Sequence, residues 1–303
     1  MSNIILRPVY NRPEMLKLSI ENEVRAREKY SLCDFVTIFL VEYGADNKTK
    51  ELVENYPFEF KYIVREKKYG LTVNILEGMK VAFDYADDFI IHLEDDILLH
   101  ETYFEYMNTL INLVGSEKYS VLSPYSPNDS GNIESVYKHN HYAALAPLIS
   151  KEFFDVYVRP CAQNRYYSAP AKFVVSLNNE YKEYWKSRVY KYTNATHHEQ
   201  AGLINRLVDV SVIEEDRCLY MPGINRQQHI GYFGKNRPGG KIPGNSFDER
   251  LVNLRDIILD SGKMYKMSAT KQYDDYKTFS PKLKEWQGVL TIDGYKGTAK
   301  NVK

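Results

Sequence analysis

Short apolar runs alternate with amphipathic segments along the first part of the chain. Residues 4–9 and 35–41 are runs of strand length, and the second is apolar at almost every position, which is typical of a strand covered on both faces. Between them, apolar residues recur at helical spacing over residues 15–24. The alternation continues with a strand over residues 60–64 and a helix over residues 71–83. This pattern predicts a repeat of strand and helix.

Three further elements extend this order: a strand over residues 89–93, a helix over residues 103–113 and a strand over residues 120–123. Strands that alternate with helices form parallel sheets with right-handed crossovers. The sequence therefore predicts an α/β fold with a mixed, mostly parallel central sheet flanked by helices. A loop-rich, aromatic region with a helix near residues 200–207 follows.

The acidic residues Glu94, Asp95 and Asp96 come directly after the fourth predicted strand, and a second apolar run follows them. Adjacent carboxylates repel one another, and burying them without a counter-charge is unfavourable. A divalent cation provides that counter-charge, and carboxylate oxygens suit Mn²⁺ or Mg²⁺. Acids at the carboxyl end of a central strand also lie where open α/β sheets bind ligands. The alternative is an acidic turn in solvent, against which the flanking apolar runs argue.

The segment around these acids resembles a known family. Residues 91–97 (IHLEDDI) followed by residues 103–106 (YFEY) are similar to the acidic segment of the N-acetylglucosaminyltransferase I family. Further similar segments, in the same order, are residues 8–12 (PVYNR), 121–124 (VLSP), 128–131 (NDSG) and 222–226 (PGINR, near that family's acceptor side). The resemblance implies a GT-A fold, a nucleotide-diphosphate sugar donor, Mn²⁺ and inversion of the anomeric centre.

The resemblance and the side-chain chemistry together suggest a set of site residues. Arg12 lies where the family has an arginine that contacts the nucleotide, and Glu42 where it has an acid that binds the base or ribose. Arg65 and Lys68 are further candidates, because cationic side chains suit phosphate. The predicted nucleotide-sugar contacts are Arg12, Glu42, Arg65, Lys68, Glu94 and Asp95, and the predicted metal ligands are Asp96, Asp95 and His229.

The chain departs from the family ahead of the last strand, where residues 196–200 read THHEQ in place of a tryptophan-flanked acid pair. An inverting transferase needs a base for the acceptor hydroxyl, and Glu199, which opens a predicted helix, is the candidate. Glu199 could instead stabilise the helix N-terminus, and His197 or His198 could take the proton. For His229, the alternative to metal ligation is a core histidine bonded to backbone.

Composition excludes several other classes of protein. The formal net charge is zero, so no global field steers the chain to nucleic acid or membrane. No apolar run approaches the roughly 20 residues of a membrane span, no signal peptide precedes the first strand, and the 3 cysteines form no CxxC pair. We expect a cytoplasmic protein. The glycine patterns of NTPases and dinucleotide-binding folds are absent from the sequence.

The predicted function is that of a metal-dependent glycosyltransferase, a hexosyl- or pentosyltransferase, with a UDP-sugar as first donor candidate and a glycan as acceptor. Residues 1–125 would form the nucleotide-sugar-binding half, residues 126–262 the acceptor-binding half and residues 263–303 a C-terminal appendage. This last segment is rich in lysine and aromatic residues, so a first alternative is the same chemistry on hydroxymethylated bases of DNA. A second alternative is a non-catalytic nucleotide-sugar-binding module.

Overall fold

The computed structural model describes residues 3–30, 34–68, 71–115, 118–126, 132–139, 145–159, 204, 207–208, 211–212, 217–229 and 283–295. Within these ranges, no helix combines the length and the apolar character that a membrane crossing requires.

The elements follow one another in an order that matches the predicted alternation at the start of the chain. They are β1 (Asn3–Val9), α1 (Pro13–Lys29), β2 (Phe35–Val41), α2 (Asn47–Glu54), β3 (Phe60–Val64), α3 (Leu71–Tyr85), β4 (Phe89–His92), β5 (Ile97–Leu99), α4 (Tyr103–Val114), β6 (Tyr119–Leu122), β7 (Ser135–His139), β8 (Leu148–Ser150), α5 (Lys151–Phe153, continued by a π-helical turn over Phe154–Val158), β9 (Cys218–Pro222), β10 (Gln227–His229), a 3-10 turn (Leu283–Glu285) and β11 (Thr291–Tyr295). The helix predicted near residues 200–207 lies largely outside the described residues.

A nine-stranded sheet forms the centre of the fold, in the order β11-β7-β9-β6-β8-β4-β1-β2-β3. Most pairs are parallel: β1 with β2 and β4, β2 with β3, β6 with β9, and β7 with β11. The strand β8 runs antiparallel to β4 and β6, and β7 runs antiparallel to β9. The prediction of a mixed, mostly parallel sheet flanked by helices is confirmed.

Apolar side chains cover both faces of the sheet, as the strand β1 illustrates. Ile4 and Leu6 belong to the cluster that packs with α3, whereas Ile5 belongs to the cluster that packs with α4. Because β1, β2 and β4 are parallel, their carboxyl ends share one edge of the sheet. The loops after these strands therefore converge on one side of the molecule.

The last described segment is part of this architecture. Thr291 and Ile292 on β11 pair with Ser135 and Val136 on β7, and the preceding Trp286 is buried. The predicted appendage over residues 263–303 thus contributes an edge strand to the sheet. The second sheet is a short antiparallel pair of β5 and β10, which brings a late segment of the chain beside the acidic residues.

Candidate functional site

The acidic residues form a tight turn at the carboxyl edge of the sheet. The strand β4 ends at His92, and the Leu93 backbone N–H donates to the Leu6 carbonyl at 2.9 Å. Asp95 and Asp96 are both buried. The alternative of an acidic turn in solvent is therefore wrong, and these carboxylates need internal counter-charge.

Arg12 supplies much of that counter-charge from the loop between β1 and α1. Its Nη1 donates to Asp96 Oδ2 at 2.7 Å, its Nε donates to Asp95 Oδ2 at 3.1 Å, and its Nη2 donates to Asp95 Oδ1. Asn11 has a positive φ of 43° and its Oδ1 accepts from the Asp46 backbone N–H, which fixes the shape of this loop. The structure thus brings together three residues that the sequence assigned to one site.

His229 lies at the same place, although it comes more than 130 residues after the acids in the sequence. The pairing of β10 with β5 places His229 opposite Ile97, and its Nε2 lies 3.4 Å from Asp96 Oδ2. Asp96 Oδ1 is buried and has no hydrogen-bond partner within the described residues. An unpartnered carboxylate oxygen beside an imidazole is a position at which a cation would find ligands.

The three acids differ in charge state. Burial, and then the charges of Asp96 and Asp95, raise the pKa of Glu94 to about 8. Burial also raises the pKa of Asp95 to about 6, although Arg12 opposes it. Burial acts in the same direction on Asp96, but His229 and Arg12 outweigh it and lower the pKa of Asp96 to about 2. Burial thus favours the protonated form of Glu94, whereas Arg12 and His229 favour the ionised form of Asp96.

A buried arginine supports the acidic turn from behind. Arg7 Nη2 donates to Ser19 Oγ at 2.7 Å, and Ser19 Oγ donates in turn to the carbonyl of Ile97, the residue after the acids. Arg7 Nη2 also lies 3.4 Å from Glu23 Oε2. We did not predict this support from sequence, although a single arginine inside the apolar run of β1 was the signal for it.

The other predicted nucleotide contacts, Glu42, Arg65 and Lys68, follow strands at the same edge of the sheet. They differ in the contacts that their side chains make within the protein. Glu42 is buried at the end of β2 and its Oε1 accepts from the Tyr43 backbone N–H at 2.9 Å. Arg65 Nε donates to Asn74 Oδ1 at 2.7 Å. Lys68 Nζ lies 5.8 Å from the centre of the Tyr10 ring.

Two predicted acceptor-side features have different outcomes. Glu199, with His197 and His198, lies outside the described residues, so its role as base stays a prediction. Arg226, in the stretch compared with an acceptor-side segment, is fully buried, with its guanidinium 4.5 Å from the centre of the Trp286 ring. Arg226 therefore packs the end of the chain against the domain.

The donor set at the acidic turn suits a divalent cation. Asp95 and Asp96 already converge on one cationic group, the guanidinium of Arg12, and two carboxylates with an imidazole are ligands that Mn²⁺ accepts. Within the described residues, no three such side chains are yet close enough together to hold a metal by themselves. Cation binding would therefore need a rearrangement of Arg12 and further oxygens from a ligand.

Comparison with known proteins adds a family to this description. Residues 4–165, more than half of the chain, match the family described as Glycosyl transferase family 2. No curated protein matches the chain.

Solved structures with a related fold are distant. A structure of TarS 1-349 from S. aureus has a TM-score of 0.44 and 10% identity, covering 78% of this chain and 76% of that chain. The same protein in complex with UDP-GlcNAc has a TM-score of 0.41 and 10% identity, with 71% and 73% covered. HddC from Yersinia pseudotuberculosis, complexed with GMP-PN, has a TM-score of 0.33 and 10% identity, with 52% and 80% covered. These likenesses carry no conclusion about ligand or acceptor. The narrower resemblance to the N-acetylglucosaminyltransferase I family also stays a prediction.

Proposed function

Because the chain belongs to Glycosyl transferase family 2, we propose that it transfers a sugar from a nucleotide-diphosphate donor to a hydroxyl acceptor with the help of a divalent cation. The observation that supports this most is the convergence of Asp95, Asp96 and His229 at the carboxyl edge of the sheet. A buried, unpartnered oxygen of Asp96 lies in the same place. These groups would hold the donor diphosphate through Mn²⁺ or Mg²⁺.

Each residue at this edge has a task that suits its chemistry. Mn²⁺ or Mg²⁺, when bound, would offset the negative charge that builds up on the leaving nucleoside diphosphate. Asp95 and Asp96 would supply carboxylate oxygens and His229 an imidazole nitrogen. Glu42, at the end of β2, would accept hydrogen bonds from the ribose or base. Arg12, Arg65 and Lys68 would contribute positive charge toward the phosphates.

The reaction itself needs one base. In an inverting transfer, the acceptor oxygen attacks the anomeric carbon while the bond from that carbon to the diphosphate oxygen breaks. The acceptor proton then passes to a carboxylate on the opposite face of the sugar. We propose Glu199 for this role, with His197 or His198 as alternatives.

A glycan is the proposed acceptor. The DNA alternative rests on the lysine-rich, aromatic segment over residues 263–303, of which residues 283–295 are described. Within that described part, Trp286 is buried against Arg226 and does not present its ring to a base. Hydroxymethylated DNA is the alternative acceptor, and both are tested.

Donor binding can be tested by thermal shift with UDP, GDP, CDP and their sugars, each with Mn²⁺ and with EDTA. We would start with the UDP-sugars, the first donor candidate from the sequence. A ligand at about 100 times its Kd stabilises a protein by about 2.7 kcal/mol, so one nucleotide should raise the melting temperature by several degrees with Mn²⁺ only. An equal shift of the melting temperature in EDTA would exclude a role for the cation in donor binding. No shift with any nucleotide would contradict the proposal that this site binds a nucleotide-sugar donor.

Transfer can then be tested with the donor that binds. The expected result is release of the nucleoside diphosphate that depends on a glycan acceptor and is lost in Glu199→Gln, which keeps donor affinity. Transfer to hydroxymethylated DNA but to no glycan would contradict the proposed acceptor. An unchanged rate in Glu199→Gln would exclude Glu199 as base.

A further inference from the structure

We propose that Arg12 is an internal counterion that occupies the carboxylates of Asp95 and Asp96 in the absence of donor, so that cation binding depends on nucleotide binding. This inference rests on the proposed function and concerns the regulation of the same site. It goes beyond a nucleotide contact, because it gives Arg12 two alternative partners.

The contacts of Arg12 show that it takes the place of a cation. Its guanidinium binds both carboxylates at once, with three N–H donors directed at three of their four oxygens. The two aspartate side chains are only 3% and 7% exposed, whereas that of Arg12 is 29% exposed. Arg12 therefore lies on the solvent side of the pair and covers it. Asp96 Oδ1 has no hydrogen-bond partner within the described residues, but both oxygens of Asp95 accept from Arg12. A metal ion that binds both residues therefore competes with Arg12 at Asp95.

The charges determine when this exchange is favourable. Charge-assisted bonds from a guanidinium fork to carboxylates are strong, and removing the cation from a buried pair leaves uncompensated charge. A divalent ion alone satisfies the aspartates but leaves Arg12 without an anion. A nucleoside diphosphate gives the displaced guanidinium a new anionic partner. The two ligands should therefore bind with positive coupling, each favouring the other.

The backbone around Arg12 shows which part has to move. The Arg12 carbonyl accepts from the Leu16 N–H at 2.9 Å at the start of α1, and Asn11 is tied to Asp46 by a side-chain bond of 2.7 Å. Both flanks of Arg12 are thus anchored. Rotation of the Arg12 side chain is sufficient to free the carboxylates, and no movement of the loop is needed.

Mn²⁺ binding followed by electron paramagnetic resonance tests this proposal without a measurement of transfer. The full chain and the variant Arg12→Gln are titrated with Mn²⁺, with and without UDP. For the unmodified chain, UDP should tighten Mn²⁺ binding about tenfold or more, within the usual range of coupling between sites. Arg12→Gln should bind Mn²⁺ alone about tenfold more tightly than the unmodified chain and respond less to UDP.

Two further variants serve as controls. Arg25→Gln removes the same charge from an exposed position on α1 and should leave Mn²⁺ affinity unchanged. Arg12→Lys keeps the charge but cannot span both carboxylates, so its Mn²⁺ affinity should be intermediate. If the melting curve shows that Arg12→Gln does not fold, the Mn²⁺ affinity of Arg12→Lys relative to the unmodified chain tests the proposal instead.

The failure of this proposal and the failure of the proposed function give different results. Mn²⁺ affinity without UDP that is equal in the unmodified chain, Arg12→Gln and Arg12→Lys, together with Mn²⁺ binding in the presence of UDP, would overturn the counterion role alone. Weaker Mn²⁺ binding in Arg12→Gln would overturn it as well and make Arg12 a support of the cation site. No Mn²⁺ binding by any form, with or without UDP, would overturn the cation role in the proposed function and this inference with it.

Discussion

At the scale of single residues, the candidate site depends on how the charges of Asp95 and Asp96 are neutralised. Arg12 bonds to both, whereas His229 lies near Asp96 only. The two aspartates are therefore not equivalent: Asp96 is the one that both Arg12 and His229 approach, and it keeps an unpartnered oxygen among the described residues.

Asp96→Asn should abolish most transfer without unfolding the protein. Asparagine fills the same space but loses the charge that would hold the cation, so we expect a loss in kcat/KM of about a hundredfold or more. The melting temperature should change by only a few degrees, because Arg12 keeps its bonds to Asp95. Asp87→Asn, at an exposed position, is the matched control. Full cation-dependent turnover in Asp96→Asn would contradict the role given to Asp96.

Two buried histidines should make the protein sensitive to acid. Burial lowers the pKa of His92 to about 4, and burial together with nearby cations such as Arg226 lowers the pKa of His100 to about 3. Both start from 6.5 in the unfolded chain. Above pH 6.5, both histidines are neutral in the folded and in the unfolded state, so they do not lower the free energy of unfolding. As the pH falls from 6.5 toward 4, only the unfolded state gains protons, so stability is lost.

Urea unfolding at two pH values measures this effect. Between about pH 7.5 and about pH 5, each histidine should account for a loss of about 2 kcal/mol in the free energy of unfolding. His92→Leu and His100→Asn should each remove one such contribution; asparagine can still accept the Thr102 N–H that now donates to His100 Nδ1. The acidic residues are the same in all of these proteins, so their contribution to the pH dependence cancels when the variants are compared. The same pH dependence in all three proteins would contradict this assignment.

At the scale of elements, α3 lies unusually close to β2 at one glycine. A Cβ atom on Gly78 would lie 2.0 Å from Leu40 Cδ1, and Leu40 is fully buried. Alanine at this position would force the buried Leu40 side chain to shift within the core, which opposes its advantage of about 1 kcal/mol as a helix former.

Gly78→Ala should therefore destabilise the protein by about 1–3 kcal/mol through overpacking, as measured by urea unfolding. In a Leu40→Ala background, where the clashing atoms are gone, the same substitution should be neutral or stabilising. A double-mutant cycle quantifies this difference. Additive effects of the two substitutions would show that the close contact is absent in solution.

The first elements follow from local pattern, whereas the later strands do not. The strands β1 to β4 and β6 and the helices α1, α3 and α4 were predicted within a few residues, because their apolar periodicity is strong, whereas β5 was predicted only as an apolar run. The strand β10 has only three residues, none of them apolar, and it forms because it pairs with β5. Sequence therefore suggested His229 as a ligand but could not place it beside Asp96. Likewise, it suggested Arg12 for the nucleotide but not the contact with two acids some 83 positions away, which depends on loop shape.

At the scale of the whole molecule, the end of the chain stabilises the domain. Trp286 is buried, stacks against the guanidinium of Arg226 and donates from its indole N–H to the Val289 carbonyl at 2.7 Å. The segment then continues into β11 at the edge of the sheet. An appendage without contacts would have none of these features.

Trp286→Ala should lower the free energy of unfolding by about 3–5 kcal/mol, as for other buried aromatic truncations. Arg226 would also lose a stacking partner in the interior. Trp286→Phe, which keeps a ring, should recover much of the loss. A melting temperature that is the same in Trp286→Ala as in the unmodified chain would mean that this segment does not pack on the domain in solution.

The position of Arg12 also bears on the order in which the chain is synthesised. Arg12, Asp95 and Asp96 all belong to the loops of the parallel part of the sheet and are synthesised before His229. Buried acids without counter-charge oppose folding. Because Arg12 is synthesised before the aspartates, their neutralising charge is already in the chain when they are made and does not depend on β10.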